Sequence, residues 1–277
     1  MKKKTYVIRP SELSYICYHC SYLKHNYALE NRGISAGITG QLDSMQKIYF
    51  LGDVKKIDHI IPDGEVIDPD FKNESFISKE LKDNKQRSFR IKGKGDALIK
   101  FKDKTFGVID YKTSKFKDKN GEDYSLDLKI KVNEYEPQLH AYSLMYSNLE
   151  KDENTLKEND KGTKMGWKKI TIETRVKEKI NKIKEIEISK TSLLGVVFVY
   201  PEEIIEGNRL NVEFSHSFQQ VEHNPDKFMK LITQYIDNLE QDNVPIIPEK
   251  CKDIKKQQHC YMHSFFFDEK KLVRIQR

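Results

Sequence analysis

The spacing of hydrophobic residues along the chain predicts both helices and strands. Apolar residues recur at helical intervals after Ser11, over residues 41–50 and over residues 225–239, and Pro137 is expected to open a further helix to about residue 149. Strands are predicted at residues 88–100, 105–111, 196–200 and 210–218, where β-branched and aromatic residues are enriched. Residues 62–84 predict an irregular segment, and residues 168–190 have no clear period.

The strand at residues 105–111 is apolar on both faces, so we expect it to be central and covered on both sides. The pattern therefore predicts an α/β fold with a mixed central β-sheet flanked by helices. No linker separates independent apolar cores, which favours a single domain over residues 1–277 with its core at about 36–240. The charged stretches 113–136 and 150–190 are expected to be insertions.

Composition and charge limit the function classes only loosely. The mean hydropathy is −0.72, and no apolar run approaches the roughly 20 residues that a membrane helix needs. The basic start at Met1 has no apolar segment after it, so we expect a cytoplasmic protein without a membrane partner. The net charge of +6 is compatible with a polyanionic partner, but an ordinary mixed surface explains it as well.

Two acids and a lysine lie where the central hairpin of the chain is predicted. Asp110 and Lys112 are two residues apart on one strand, so their side chains share a face. Asp96 shares that face only if the hairpin is centred on Asp103, because a two-residue turn would place Asp96 opposite Tyr111 instead. The sequence therefore predicts a loop of three or five residues, or a bulge, if these groups act together.

Hydrolysis of a phosphodiester requires an activated water and neutralisation of the charge that develops on the phosphate. A hard divalent cation with oxygen ligands supplies both, and Asp96, Asp110 and the Tyr111 carbonyl are candidate ligands. Lys112 is then expected to orient or deprotonate the water, or to balance charge; burial and neighbouring carboxylates act on its pKa in opposite directions. The alternative is a solvated hairpin end with an ordinary Asp–Lys pair.

Three short motifs occur in order across the middle of the chain: Gly95-Asp96, Val108-Ile109-Asp110-Tyr111-Lys112-Thr113 and Gln138-Leu139-His140-Ala141-Tyr142. They resemble the PD-(D/E)XK nuclease superfamily, and most closely the RecB-like branch that includes the CRISPR-associated exonucleases. The resemblance implies a restriction-endonuclease-like core, metal binding by Asp96 and Asp110, and catalysis by Lys112, Gln138 and Tyr142. It also implies a third metal-binding acid on an early helix, for which Asp43 is the candidate; alternatively, Asp43 only stabilises its own helix.

Four cysteines lie near the two ends of the chain: Cys17, Cys20, Cys251 and Cys260. Disulfides are not expected in a reducing compartment, whereas the two-residue gap between Cys17 and Cys20 is typical of metal sites. By their number, four thiolates suit Zn²⁺ and a [4Fe–4S] cluster equally, and His19, His259 or His263 are possible replacements in a zinc site. The surrounding residues resemble iron–sulfur nucleases of the same branch, although Ile254 stands where those have a cysteine. We expect the site to join residues 11–30 to residues 248–263; the alternative is four thiols without a metal.

The leading hypothesis is a Mg²⁺- or Mn²⁺-dependent DNA nuclease that acts on DNA ends or single strands, in repair, recombination or defence. The resemblance supplies the substrate class, whereas the acids and the lysine supply the mechanism. One alternative is a catalytically inactive nucleic-acid-binding module. Another is a structural subunit of a larger DNA-processing complex, with a helicase or integrase as its partner.

Overall fold

The computed structural model describes residues 4–14, 17–27, 37–69, 75–113, 125–159, 171–186, 190–205 and 211–246. The strands in these ranges are β1 (Thr5–Ile8), β2 (Gly64–Ile67), β3 (Phe76–Ile77), β4 (Leu81–Lys82), β5 (Ser88–Gly93), β6 (Ala97–Phe101), β7 (Phe106–Thr113), β8 (Thr191–Ile205) and β9 (Asn211–Val221). The helices are α1 (Ser11–Ser14), α2 (Tyr18–Tyr27), α3 (Gly37–Phe50), α4 (Ser125–Ser147), α5 (Glu153–Asn159), α6 (Ile172–Glu185) and α7 (Pro225–Leu239), with a short 3-10 turn at Val54–Lys56.

The larger sheet is mixed and has the strand order β2-β6-β7-β8-β9. Strand β7 pairs antiparallel with β6 and parallel with β8, and it lies at the centre. Val108 packs on one side of this sheet, whereas Ile109 and Tyr111 pack on the other. The prediction of a mixed α/β fold with a central strand covered on both faces is confirmed.

A smaller sheet is built around β5, which is hydrogen-bonded to β1, β3 and β4. The sequence predicted one strand over residues 88–100, and this was wrong because the chain leaves the small sheet after Gly93 and enters the large sheet at Ala97. Glycines permit this passage: a Cβ on Gly93 would lie 2.7 Å from Pro10, and one on Gly95 would lie 2.9 Å from the Tyr146 hydroxyl. Asp96 is therefore held at the point where the chain changes sheets.

Several elements differ from the sequence-based expectation. Residues 62–84 contain β2, β3 and β4, which are too short to show a period and depend on pairing with longer strands. The interval 150–190 contains α5 and α6. Pro137 does not start its helix but lies inside α4, where it removes the hydrogen bond to the carbonyl of Asn133. Leu128 and Val132 are buried one turn apart in the part of α4 that was expected to be an insertion.

Within the described ranges, every helix is too short or too polar to span a bilayer.

Candidate active site

The β6–β7 hairpin brings the two central acids to the same face. Phe101 and Thr105 close its three-residue loop, and Lys104 in that loop has a positive φ of 67°. A three-residue loop with its last residue in the left-handed region is a common hairpin geometry. The resulting register pairs Ala97 with Ile109, so Asp96 and Asp110 are the next opposing positions. This is the register that the metal-site hypothesis required.

Asp96 and Asp110 differ in how they are held. The backbone N–H of Tyr111 donates a hydrogen bond to Asp96 Oδ2 over 3.1 Å, which fixes that carboxylate at the end of the hairpin. The Asp110 side chain is only 1% exposed. Burial raises the pKa of Asp110 to about 7; the Lys112 ammonium opposes this rise, and the Asp96 carboxylate adds to it. The Asp96 carboxylate thus makes ionisation of Asp110 more costly.

Lys112 supplies a cation beside this pair. Its Nζ lies 2.6 Å from Asp110 Oδ2 and 4.9 Å from the centre of the Tyr135 ring. Burial acts to lower the pKa of Lys112, but the Asp110 carboxylate outweighs burial, and the pKa is raised. The raised pKa favours the ammonium form of the side chain at neutral pH.

Gln138 connects three elements around Asp110. Its amide nitrogen donates to Asp110 Oδ1 over 3.2 Å and lies 3.4 Å from the Tyr142 hydroxyl. Its amide oxygen accepts a 2.5 Å hydrogen bond from the hydroxyl of Ser14 in α1. These contacts fix the orientation of the amide, so its N–H group faces the carboxylate. Burial is also the main cause of a raised pKa for Tyr142, which stays a neutral phenol.

The sequence-based reasoning missed two contributors, Ser14 and Lys47. Lys47 Nζ lies 3.2 Å from Asp43 Oδ2 and 3.3 Å from Asp96 Oδ1. Asp43 therefore approaches the site through a shared lysine, and its side chain remains 47% exposed. The i, i+4 spacing of Asp43 and Lys47 on a predicted helix was a signal for their pair, but it did not indicate the contact with Asp96.

The chemistry of these donors fits a divalent cation. Two opposed carboxylates, one of them buried, are stabilised by a hard positive charge, and both offer the oxygen ligands that Mg²⁺ prefers. Among the described residues, no three His, Cys, Asp or Glu side chains cluster closely enough to hold a metal. Magnesium sites of one or two carboxylates are commonly completed by water and substrate phosphate, so two acids are a sufficient protein contribution.

The predicted cysteine site extends beyond the described residues. Cys17 directly precedes α2 and Cys20 lies on it, and both are partly buried. Cys251 and Cys260, and also His259 and His263, lie outside the residues that the structure describes. The structure therefore gives no geometry for a four-thiolate site.

Comparison with known proteins places this geometry in a family. The model of the PD-(D/E)XK nuclease superfamily matches residues 38–264, which include both central acids, Lys112 and α4. No curated protein gives a match. A solved structure described as "Crystal structure of SSO0001" aligns with 88% of this chain and 82% of its own, at 14% sequence identity and a TM-score of 0.44.

Proposed function

Because the chain belongs to the PD-(D/E)XK nuclease superfamily, we propose that it is a Mg²⁺- or Mn²⁺-dependent nuclease that hydrolyses phosphodiester bonds in DNA. The observation that carries this proposal is the register of the β6–β7 hairpin, which puts Asp96 beside Asp110 with the Lys112 ammonium 2.6 Å from Asp110. Asp96 and Asp110 would hold the cation. When bound, the cation would polarise the phosphate and lower the pKa of a water molecule.

The remaining groups act on the substrate and on the acids. Lys112 carries an ammonium that can donate to a phosphate oxygen as negative charge develops on it, or orient the attacking water. In its protonated form it is not a general base. Gln138 donates to Asp110 Oδ1, which favours the ionised form of that carboxyl and fixes its orientation. Tyr142, four residues further along α4, limits the orientations open to the Gln138 amide.

DNA ends or single strands are the proposed substrate. The motifs that resemble the RecB-like branch support this choice, and the net charge of +6 is compatible with a polyanionic substrate. One rival function is a nucleic-acid-binding module that does not cut, and another is a structural subunit that acts with a helicase or integrase. Binding of DNA without cleavage would favour the first, and co-purification of such a partner would favour the second.

The test is an assay with end-labelled single-stranded and double-stranded DNA in the presence of Mn²⁺. We expect cleavage by the wild-type chain and none by Asp110→Ala, since the buried carboxylate is lost. Asp63→Ala is the matched control, because Asp63 is 60% exposed in surface ion pairs with Lys55 and Lys102. Undiminished cleavage by Asp110→Ala with an intact fold would refute the proposal.

The cysteines are proposed to clip the two ends of the chain together through Zn²⁺ or a [4Fe–4S] cluster. Support comes from α2, where His19 Nδ1 lies 2.7 Å from the Pro245 carbonyl, and the Tyr22 hydroxyl donates to the Gln241 carbonyl over 3.1 Å. Residues 241–245, which precede Cys251 in the sequence, thus contact the helix that bears Cys20. Metal analysis and visible absorption of the purified protein test the clip: a chain without zinc, iron or sulfide would refute it.

A further inference from the structure

Lys47 is the second lysine whose side chain contacts a central acid of the candidate site. It lies on α3, one turn after Asp43, and its side chain is only 10% exposed. Its Nζ lies within 3.3 Å of an oxygen of each of two acids, Asp43 Oδ2 and Asp96 Oδ1. A lysine held this way occupies the space beside an oxygen that a cation also needs.

The two oxygens of Asp96 have different partners. Oδ2 accepts a hydrogen bond from the backbone N–H of Tyr111, and this bond keeps the carboxylate in place. Oδ1 lies 3.3 Å from the ammonium of Lys47. An ammonium on a flexible stem can move away from this oxygen, whereas a backbone donor cannot. Lys47 is therefore the exchangeable partner of Asp96.

Charge balance gives a reason for this arrangement. Asp96 and Asp110 repel one another when both are ionised, and the Lys112 ammonium lies 2.6 Å from Asp110. Lys47, which Asp43 also contacts, places a second positive charge beside Asp96, so both central acids lie next to an ammonium. Once a divalent cation supplies two positive charges, the contact between Lys47 and Asp96 is no longer required for balance and becomes unfavourable by like-charge repulsion.

We propose that Lys47 is a built-in counter-cation for Asp96: it occupies Oδ1 in the metal-free protein, is displaced when Mg²⁺ or Mn²⁺ binds, and then turns to a phosphate of the nucleic-acid strand. The inference deepens the proposed function, on which its last step rests. The displacement itself depends only on the presence of a cation site, so it can be tested without substrate.

The first experiment measures Mn²⁺ binding by calorimetry on the full chain without nucleic acid. Lys47→Met keeps the length and helix propensity of the side chain but removes the competing charge, so we expect Mn²⁺ to bind about fivefold more tightly, the order of a single partly exposed ion pair. Lys56→Met is the control for a general loss of positive charge, because Lys56 contacts the Tyr49 carbonyl and neither central acid. Its affinity for Mn²⁺ should not change. Unchanged or weaker binding by Lys47→Met, or an equal gain in both variants, would overturn the displacement.

The second experiment measures the KM and kcat of cleavage of a short single-stranded DNA at saturating Mn²⁺. Lys47→Met should raise KM several-fold, because a phosphate contact is lost, and Lys47→Arg should restore most of it. A KM equal to that of the wild type would overturn the phosphate contact while leaving the calorimetric result to decide the displacement. If the wild-type chain binds Mn²⁺ but does not cut DNA, the proposed function fails, and the calorimetric comparison still tests Lys47.

Discussion

At the scale of single residues, the orientation of the Gln138 amide depends on a hydroxyl from the far end of the sequence. Ser14 donates to the amide oxygen, and this leaves the amide nitrogen to face Asp110. Hydrogen bonds behind a metal ligand commonly contribute as much to a site as the choice of ligand does. The contact therefore predicts a functional role for a residue that does not reach the substrate.

Replacement of Gln138 by Leu should lower Mn²⁺ affinity and kcat by roughly 10–100-fold, because Asp110 loses a hydrogen bond that favours its ionised form. Ser14→Ala is the graded comparison: it keeps the Gln138 amide and removes only the hydroxyl that orients it, so it should have a smaller effect. Calorimetry and initial rates measure both. A Gln138→Leu variant with wild-type Mn²⁺ affinity and turnover would contradict the role given to this amide.

Residue types and short spacings singled out Asp96, Asp110 and Lys112 as candidates, whereas Gln138 and Tyr142 came from the resemblance to the nuclease superfamily. Ser14 and Lys47 were not found, because both approach the site from helices far away in the sequence, and nothing near them in the chain indicates the contact. Lys47 pairs with Asp43 by helical spacing, which is local, but its contact with Asp96 joins α3 to the start of β6. The sequence around Lys47 does not indicate that this side chain contacts Asp96.

At the scale of elements, the passage from β5 to β6 is held by helix α4. The Tyr146 hydroxyl accepts a 3.0 Å hydrogen bond from the backbone N–H of Gly95, which is buried. A buried amide without a partner is costly, so this one side chain secures the turn directly before Asp96.

Tyr146→Phe should lower the free energy of unfolding by about 1–3 kcal/mol, since the Gly95 N–H would lose its partner. Urea denaturation followed by circular dichroism measures the change. Tyr49→Phe is the matched control, because Tyr49 is 57% exposed and its change should stay within about 0.5 kcal/mol. Equal stability of the two variants would show that Gly95 does not depend on the Tyr146 hydroxyl.

The elements could be predicted from sequence where they were long and regular, as in β7 and α7. The break at Gly93 was missed because residues on both sides of it favour strands. The glycines between β5 and β6 are required by close contacts with Pro10 and Tyr146, which the local sequence does not indicate. The first half of α4 was missed because its many charged residues obscure the helical spacing of its buried apolar residues, Leu128 and Val132. Pro137 then gave a misleading helix start.

At the scale of the whole molecule, Glu12 joins three helices. Its carboxylate contacts Lys24 and His25 in α2 and accepts a 3.1 Å hydrogen bond from the Tyr235 hydroxyl in α7. Burial alone would raise the pKa of Glu12, but the hydrogen bonds from His25 and Lys24 outweigh it and lower the pKa to about 2. The ionised carboxylate thus stabilises the packing of α1 and α2 against α7.

The lowered pKa sets a pH range for this contribution. The folded-state pKa lies below the ordinary value of 4.5, so the stabilisation is present above about pH 5 and is lost as the pH falls towards 2. Glu12→Gln should remove roughly 2–3 kcal/mol of stability at neutral pH and flatten the loss of stability below pH 5. Thermal melting across this range measures it, with the exposed Glu222→Gln as control. Parallel acid profiles for wild type and Glu12→Gln would contradict the assignment.

The three-residue loop between β6 and β7 has a further consequence for insertions and deletions. Because strand side chains alternate, one extra residue after Asp103 would turn Asp96 away from Asp110, unless a bulge absorbs it, and a second would turn it back. We expect the effect to depend on whether the number of inserted residues is odd or even: one inserted glycine should abolish cleavage, and two inserted glycines should restore part of the cleavage activity. Across natural variants of this chain, the length of this loop should therefore change in steps of two.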